Sequence, residues 1–472
     1  MKNSQNSSLA GNKTNRPGLK RISLWMAVVA CILMVQPLQA QEPVVLSLKD
    51  ALNYALKANQ NARKAQLDVE NSQYKIEEVR SRALPQINGS AALAHNPLLQ
   101  MSALPNIFGP NPNPNETILI AFGQKWNANA GISLSQNLFD KSVFTGLSAA
   151  KATQEFYRLN AQLTEEQIIE QVATNYYQVL VHRQQMGVLD STIKNTEKVQ
   201  NILQGQYKNG LAKKIDVDRI AVNISNLKSQ RQQLINNVAL LENNLKFFMG
   251  MPIQTPVAIP DVAFAEIQPQ AVPAQDSIDV SGRTEYRLLE RQGELLKYQK
   301  EAYKAEYYPS LSLSGNYSYQ GIGNTVPVFK GQSKGVNWFD AASVSLNLRI
   351  PIFNGFATRS RIRQADISIQ KLNEDISNTT LALNLAFENA RTQINNSIIT
   401  LNAQKENVQL AQEVFDNTQN NYNQGLATLT DLLSAENSLT EAQNNYSAAL
   451  LNYRLAEIQL VKSKGELKTL IN

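Results

Sequence analysis

The sequence predicts a mixed membrane α/β fold: a long coiled-coil α-helical barrel that continues into a transmembrane β-barrel, with four strands from each chain and twelve in a trimer. Three observations lead to this prediction. The chain is internally duplicated, its longest segments keep a helical period over about 70 residues, and four segments alternate between apolar and polar residues.

The first 40 of the 472 residues have the layout of a secretory signal peptide. Basic residues end at Arg21, an apolar run extends from Ile22 to Val35, and Ala40 supplies a small residue at the cleavage position. The run is shorter than the roughly 20 apolar residues of a membrane-spanning helix. A lipoprotein signal is the alternative, because Val-Val-Ala precedes Cys31, although the apolar run continues past that cysteine.

The net charge of the chain comes from this leader. Five of the 45 basic residues precede Glu42 without any acidic residue among them, so the remaining 40 face 39 acidic residues. A nearly neutral protein does not attract nucleic acid over long distances, and we therefore expect no nucleic-acid partner.

Residues 41–249 and residues 283–472 are predicted to be two repeats with one order of elements: helix, strand, strand, very long helix, turn and returning helix. The elements of the first repeat are Ser47–Ala83, Gln86–His95, Trp126–Leu138, Asp140–Lys208 and Lys213–Met249. The elements of the second are Arg283–Tyr308, Ser310–Gln320, Trp338–Ile352, Gly355–Gln424 and Thr428–Glu466. A proline-rich connector, residues 250–282, separates the repeats, and Asn96–Lys125 is predicted to be a long loop.

The clearest sign of duplication is a short turn that occurs twice. Gln206–Asp218 reads QYKNGLAKKIDVD and Asn421–Leu433 reads NYNQGLATLTDLL, and one constant shift in numbering aligns the tyrosine, Gly-Leu-Ala and an aspartate. Asn-Leu-Phe-Asp at 137–140 likewise parallels Pro-Ile-Phe-Asn at 351–354. Gly210 and Gly425 are expected to supply the positive φ that a reversal between two helices needs.

The long helices are predicted to pack as coiled coils. At 1.5 Å per residue each would span about 100 Å, and two shorter helices stacked end to end would match one long helix. The last helix carries a seam with 3–4 spacing, formed by Leu432, Ala435, Leu439, Ala442, Tyr446, Ala449, Tyr453, Ala456 and Leu460.

The four strand segments have one apolar and one polar face. In Ser310–Gln320, leucine, glycine and tyrosine alternate with serine, asparagine and glutamine, and the other segments follow the same pattern. This pattern is typical of transmembrane β-barrel strands, and a soluble sandwich with one buried face is the alternative. Four strands are too few for a bacterial barrel and lipid does not tolerate open strand edges, so the barrel is expected to be shared with copies of the same chain. Three copies would give twelve strands.

These features together resemble the TolC family of outer-membrane efflux and secretion channels. The resemblance rests on the duplicated layout, the strand pairs, Pro85 and Pro309 at helix–strand junctions, and the Tyr-x-x-Gly-Leu turns. It implies a homotrimer with a twelve-stranded barrel in the outer-membrane lipid, a helical tunnel through the periplasm and a mixed belt around it. It also implies a periplasmic entrance that opens when an inner-membrane pump and a periplasmic adaptor protein dock.

The resemblance implies roles for residues near the two turns. Asp431 matches an aspartate that lines the narrow entrance, and Ser434 stands where well-known members have a second aspartate. Asp216 and Tyr422 match residues that latch the closed state. The turn residues themselves are Gly210, Leu211, Gly425, Leu426 and Ala427.

Two of these assignments leave alternatives open. Ala427 replaces the arginine of the family's latch, so the latch is expected to differ or to use Lys213 or Lys214. Asp431 also fits a carboxylate at a helix N-terminus, stabilised by the helix dipole. On the strand side, Arg349 is expected on the polar face near the periplasmic end, where it would affect the charge of the lumen.

The sequence favours a passive exit duct over catalysis. The nucleotide-binding, zinc-protease and serine-hydrolase motifs are missing from it, and His95 and His182 have no partners at metal-ligand spacing. We therefore expect no enzyme activity and no cofactor or metal. The predicted function is the exit duct of a tripartite efflux or type I secretion system, and the competing prediction is a periplasmic coiled-coil spacer with a soluble β domain.

Overall fold

Long helices and long strands alternate along the chain. A computed structural model describes residues 44–107, 112–260, 273, 277–327 and 335–471. The predicted signal peptide with Cys31 lies outside the described residues, as does much of the proline-rich connector.

Seven α-helices lie in the described part of the chain. They are α1 Leu48–Ala58, α2 Gln60–Ser81, α3 Lys141–Lys208, α4 Lys214–Met249, α5 Thr284–Ala305, α6 Ala357–Asn423 and α7 Leu429–Lys464. None of these helices is both long enough and apolar enough to span a membrane. The two longest, α3 and α6, have 68 and 67 residues. A rise of 1.5 Å per residue makes each about 100 Å long, as the sequence predicts.

The strands of the described residues are β1 Val44–Val45, β2 Gln86–His95, β3 Gln100–Asn106, β4 Asn113–Phe122, β5 Trp126–Phe139, β6 Val257–Ala258, β7 Ser310–Gly323 and β8 Val336–Arg349. Strands β2, β5, β7 and β8 form one antiparallel sheet in the order β2-β5-β7-β8. The chain divides into two units. In the smaller unit β1 pairs in parallel with β6, and the larger contains all seven helices and the four-stranded sheet.

The first predicted helix, Ser47–Ala83, is broken at Asn59. The backbone of Asn59 is extended, with φ −62° and ψ 131°, so this residue ends α1 and caps α2. Its side-chain Oδ1 accepts from Asn61 N at 2.8 Å, while its Nδ2 donates to the Phe248 carbonyl at 2.7 Å. The Asn59 side chain thus caps the start of α2 and also bonds the end of α4, and these two bonds stabilise the break between α1 and α2.

The predicted loop Asn96–Lys125 is also wrong, because most of it forms a β-ribbon. Strand β3 pairs with β4 in antiparallel register, and Asn96 N donates to Lys125 O at 2.7 Å between this pair and the β2–β5 pair. The ribbon therefore continues the β2–β5 hairpin. Met101, Leu119 and Phe122 are exposed on it. The apolar residues 118–122 do not alternate with polar ones, so this segment gave no clear strand signal.

The helices of the two repeats correspond by fixed shifts in numbering. One shift moves both ends of α2 onto the ends of α5, and it also moves Gln86, where the first strand begins, onto Ser310. A second, slightly smaller shift moves both ends of α4 onto the ends of α7. The duplication therefore holds in the lengths of the elements as well as in their order.

In each repeat, the residue that caps the start of α2 or α5 also bonds the end of the returning helix, α4 or α7. In the first repeat Asn59 bonds the Phe248 carbonyl near the end of α4. In the second repeat Arg283 takes the place of Asn59, and its guanidinium donates to the Lys462 carbonyl near the end of α7. Gly250 and Gly465 end the two returning helices with φ of 70° and 79°. These contacts are the end-to-end stacking that the helix lengths predict.

The four-stranded sheet is exposed on both faces. Leu93, Ile132 and Val344 project from its apolar face with at least half of their surface exposed. On the polar face Ser314 lies 3.1 Å from the Ser345 hydroxyl and accepts from the Asn347 amide at 2.7 Å. The sheet of a single chain thus has no hydrophobic core of its own, and within the described residues its outer strands β2 and β8 each leave one edge unpaired.

Candidate functional site at the helix tips

The two helix reversals have the same backbone structure. We call Gln206–Asp216 the first tip and Asn421–Asp431 the second tip. In the first, Leu211 N donates to Gln206 O at 2.8 Å and Gly210 N to Tyr207 O at 3.0 Å. The second repeats both bonds in the equivalent residues, from Leu426 N to Asn421 O at 2.8 Å and from Gly425 N to Tyr422 O at 3.0 Å. This pair of bonds is the Schellman motif, which requires a left-handed residue after the helix.

Glycine meets that requirement in both tips. Gly210 has φ 76° and Gly425 has φ 77°, as the sequence predicts. The leucine that follows each glycine points away from the helices, with Leu211 79% exposed and Leu426 75% exposed. Each tip therefore presents one apolar side chain to its surroundings.

The two helix hairpins pack against each other just behind the tips. A buried cluster combines Leu203, Ile220 and Ile224 of the first repeat with Leu429 and Leu433 of the second. Tyr422 is half-buried against this cluster. Its burial raises the pKa of the phenol, and the nearby Asp216 charge adds to that shift. The pair that the resemblance assigned to a latch is thus brought close together across the two hairpins.

The basic residue that joins the tips is Arg219. Its guanidinium donates to Thr430 Oγ1 of the second tip at 2.8 Å and lies 3.8 Å from Asp216 Oδ1 of the first. Lys213 caps α4 without a side-chain bond, and Lys214 is exposed. The sequence signal for Arg219 was its position one helical turn after Asp216, which sets both side chains on one face.

Asp431 forms a capping box with Thr428 at the start of α7. The Thr428 backbone N–H donates to Asp431 Oδ2 at 2.9 Å, the Thr428 hydroxyl donates to the same oxygen at 2.7 Å, and Asp431 N donates to the Thr428 hydroxyl at 3.2 Å. The hydroxyl bond, followed by the backbone bond, lowers the pKa of the Asp431 carboxyl below its usual value. The side chain is therefore ionised at neutral pH while its residue remains exposed.

Ser434 lies one helical turn after Asp431 on the same exposed face of α7. Leu432, Leu433 and Glu436 are buried on the opposite face. The arrangement gives the second tip a polar strip that begins with the Asp431 carboxylate. The first tip has no capping box, because Lys213 occupies the position of Thr428.

Replacing Thr428 with alanine is expected to loosen the first turn of α7. The loss of the N-cap hydroxyl, worth ~1 kcal/mol, corresponds to about fivefold faster hydrogen exchange of the amides in that turn. Lys213→Ala is the matched control in the first tip, and it should leave exchange of the α4 amides unchanged because Lys213 makes no side-chain cap bond. Equal effects in both tips would contradict the capping role of Thr428.

A buried polar cluster that sequence reasoning missed lies between α3 and α7. Glu436 is only 6% exposed, and the Thr196 hydroxyl lies 3.0 Å from both of its carboxylate oxygens. Thr192 and Thr440 meet beside it, with their hydroxyl oxygens 3.2 Å apart. Burial raises the pKa of Glu436 to about 7, and the Thr196 bond opposes that shift. The signal was available, since Glu436 follows Leu432 by four positions and precedes Leu439 by three, on the packing face.

Arg349 is the last residue of β8, which ends before the predicted Ile352, and it is paired with Ser310 at the start of β7. It lies on the same face as Asn347 and Ser345, since alternate residues of a strand share a face. Arg349 also lines a cleft at the junction between strands and helices, together with Asp140, Glu306 and Arg361.

Comparison with known proteins gives this fold and these tips a family. The model of the outer membrane efflux protein family matches residues 51–250 and 292–466. The outer membrane protein TolC of Salmonella enteritidis is 23% identical over 437 residues, which cover 89% of this chain and 82% of the relative. The pyoverdine export outer membrane protein OpmQ of Pseudomonas aeruginosa is 26% identical over 327 residues, 67% of this chain and 63% of the relative.

Solved structures agree on the fold. VceC from Vibrio cholerae has a TM-score of 0.64 at 16% identity, covering 89% of this chain and 96% of that structure. The outer membrane channel CmeC from Campylobacter jejuni has a TM-score of 0.67 at 15% identity, covering 89% of this chain and 85% of that structure.

The family is made of channel proteins of the outer membrane, which sets aside the periplasmic spacer. The family model spans both repeats and includes both helix tips. The chain belongs to the outer membrane efflux protein family.

Proposed function

We propose that this outer-membrane exit duct works as a homotrimer in which three four-stranded sheets close one twelve-stranded barrel. The support is the unpaired edge of β2 and that of β8 among the described residues, together with an exposed apolar face and an exposed polar face. Lipid does not tolerate unpaired backbone groups, and closed bacterial barrels have about eight strands or more. Residues 1–40 serve as the signal peptide that directs the chain out of the cytoplasm.

The helix tips are the docking surface for a periplasmic adaptor protein and an inner-membrane pump. Each chain has two tips of the same backbone structure, so a trimer has six around its mouth. Leu211 and Leu426 give each tip an exposed apolar side chain, and its burial by a docked partner would be favourable. Cargo passes through the duct without chemistry on the chain itself. Named relatives serve pyoverdine export and alkaline protease secretion, which are efflux and protein secretion.

Asp431 is the gate of the periplasmic entrance, with Ser434 one turn further along the duct. The observation that carries this proposal is an ionised, exposed carboxylate held by a capping box at the start of α7. Three copies around a trimer axis would place three negative charges together, which attract cations and repel one another. Asp216 lies near enough to Tyr422 to raise the pKa of its phenol, and with Arg219 these residues hold the closed state in place of the family's arginine latch.

The gate is tested by conductance in planar bilayers. The detergent-extracted wild type should give small, cation-selective currents, and Asp431→Ala should raise the conductance severalfold and reduce the selectivity. Asp218→Ala is the matched control, since it removes an exposed aspartate close to the first tip that has no part in the proposed gate or latch. Thr428→Ala separates the two roles of Asp431, because it removes the capping box while it keeps the carboxylate.

Each result has a defined meaning. A change in Asp431→Ala that Thr428→Ala does not share supports a gate formed by the charge. An equal change in both variants assigns the effect to the helix cap instead. A pore that none of the variants alters supports the duct but contradicts a gate at Asp431. A protein that forms no pore contradicts the proposed function.

A further inference from the structure

The two strand pairs inside the repeats have one register. In the first repeat Gln86, at the start of β2, pairs with Ser135 of β5. In the second repeat Ser310, at the start of β7, pairs with Arg349 of β8. The shifts in numbering that convert the first of these pairs into the second also convert His95↔Trp126 into Tyr319↔Asp340, together with every pair between them. Strand β7 is therefore the counterpart of β2, and β8 is that of β5.

The β5–β7 ladder joins the two repeats, and its counterpart is absent from the described part of a single chain. That counterpart would join β8 to β2 of a second copy. We infer that β8 pairs antiparallel with β2 of the neighbouring copy in the register of β5 with β7, an inference that rests on the proposed trimer. The β5–β7 pairs Ser135↔Ser314, Ser133↔Asn316 and Ile132↔Tyr317 become Arg349↔Ser90, Asn347↔Ala92 and Leu346↔Leu93 between copies.

The faces of the strands agree with this register. Leu346 and Leu93 both belong to the apolar face, while Arg349 and Ser90 both belong to the polar face. We call the ladder between β8 and β2 of the next copy the strand seam. A slip by one residue would oppose apolar to polar side chains along this entire seam. The match of faces is therefore consistent with the register of the β5–β7 ladder and excludes a slip by one residue.

The seam also accounts for an exposed apolar segment. Residues 350–353 follow β8 without strand structure, and Ile352 is 94% exposed while Phe353 is 74% exposed. Their counterparts at 136–139 belong to β5, where beyond Ser135 they are paired with β7 only. Residues 350–353 would therefore become strand once β2 of the next copy lies beside them.

Pro351 is consistent with this extension. Its counterpart is Asn137, which borders the register shift of the β5–β7 ladder between Asn137 and Phe139. Proline lacks a backbone donor, and within sheets it is found at edges and bulges. A bulge at the same place in the seam would accept Pro351 without the loss of a ladder bond.

The seam gives Arg349 a defined place. It lies opposite Ser310 of its own chain and, in the inferred register, opposite Ser90 of the neighbour. Each of the three seams therefore carries one arginine on the polar face at the end of β8 nearest the helices. These arginines form a basic ring in the lumen.

Cysteine pairs across the seam test the register in full-length protein that carries Cys31→Ala. The matched pairs are Leu346→Cys with Leu93→Cys and Asn347→Cys with Ala92→Cys. Adjacent pairs of an antiparallel ladder alternate between hydrogen-bonded and non-bonded, so one of the two has the shorter Cα separation, about 4.5 Å. The shifted controls are Leu346→Cys with Ala91→Cys and Leu348→Cys with Leu93→Cys, and each single-cysteine variant reports background.

After mild oxidation in membranes, a matched pair should give roughly tenfold more inter-chain disulfide than either shifted pair, because diagonal neighbours lie about 7–8 Å apart. More disulfide in a shifted pair would overturn the register and keep the trimer. Absence of disulfide from every pair, in a protein that is trimeric by native mass in detergent, would also overturn the register. A monomeric native mass would instead overturn the proposed assembly.

Discussion

Replacing Gly250 with alanine should lower the free energy of unfolding by about 2–5 kcal/mol. Part of this cost comes from the left-handed backbone at φ 70°, where an L side chain loses ~1–2 kcal/mol. The rest comes from contact with backbone, since an added Cβ would lie 2.7 Å from Ala58 O and 2.8 Å from Asn59 Cα. Such overpacking costs a further ~1–3 kcal/mol, because neither α1 nor α2 can move without disturbing the contact between Asn59 and the end of α4.

Gly465→Ala is the matched control, because Gly465 ends α7 in the second repeat as Gly250 ends α4 in the first. Its φ of 79° carries a similar backbone strain, but an added Cβ meets the flexible Arg283 side chain at 3.2 Å instead of backbone. We therefore expect Gly465→Ala to cost only about 1–2 kcal/mol. Denaturant unfolding followed by helical circular dichroism in detergent measures both. Equal midpoints for the two variants would contradict the role of backbone contact at Gly250.

Replacing Glu436 with glutamine should stabilise the protein at alkaline pH and remove part of its pH dependence. Burial against α3 raises the pKa of Glu436 to about 7 from the usual 4.5. The folded state therefore holds a proton that the unfolded state releases, and the free energy of unfolding falls as pH rises from 4.5 through 7. Above pH 7 the loss reaches about 3 kcal/mol. Among the described residues, the groups that face Glu436 are the hydroxyls of Thr192, Thr196 and Thr440, which carry no charge to offset it.

Thermal unfolding at pH 5 and pH 8 measures this effect. Glu436→Gln should match the wild type near pH 5 and melt a few degrees higher at pH 8, since glutamine can still accept the Thr196 bond without carrying charge. Glu441→Gln is the control on the same helix, because Glu441 is exposed. A wild-type advantage at pH 8 would show that the ionised carboxylate stabilises the α3–α7 interface instead.

The sequence predicts those features that depend on periodicity. The alternation of residues located β2, β5, β7 and β8 with little error, because each of these strands has one apolar and one polar face. The tip glycines were predictable as well, since a Schellman turn leaves few other residues able to adopt its left-handed position. The predicted seam of α7 is confirmed, with six of its residues buried and three half-buried. The buried residues are Leu432, Ala435, Leu439, Ala449, Tyr453 and Ala456.

The features that the sequence did not predict depend on contacts distant in the chain. The break at Asn59 depends on the Phe248 carbonyl, 189 residues away. The link at the tips depends on Arg219 and Thr430, which are 211 residues apart. The burial of Glu436 depends on α3, and local propensity contains no information on which helix will cover which face.

The fixed correspondence between the repeats separates the parts of the chain where length is constrained from the part where it is free. The stretch from Gln86 to its ladder partner Ser135 is longer than the equivalent stretch from Ser310 to Arg349. The additional residues lie where β2 continues into the β3–β4 ribbon. An added residue in a helix would rotate every following side chain by about 100° and displace the tip by about 1.5 Å, which the paired hairpins do not allow. Inserted peptides should accordingly be tolerated better in the ribbon, where the two repeats already differ in length, than in the helices.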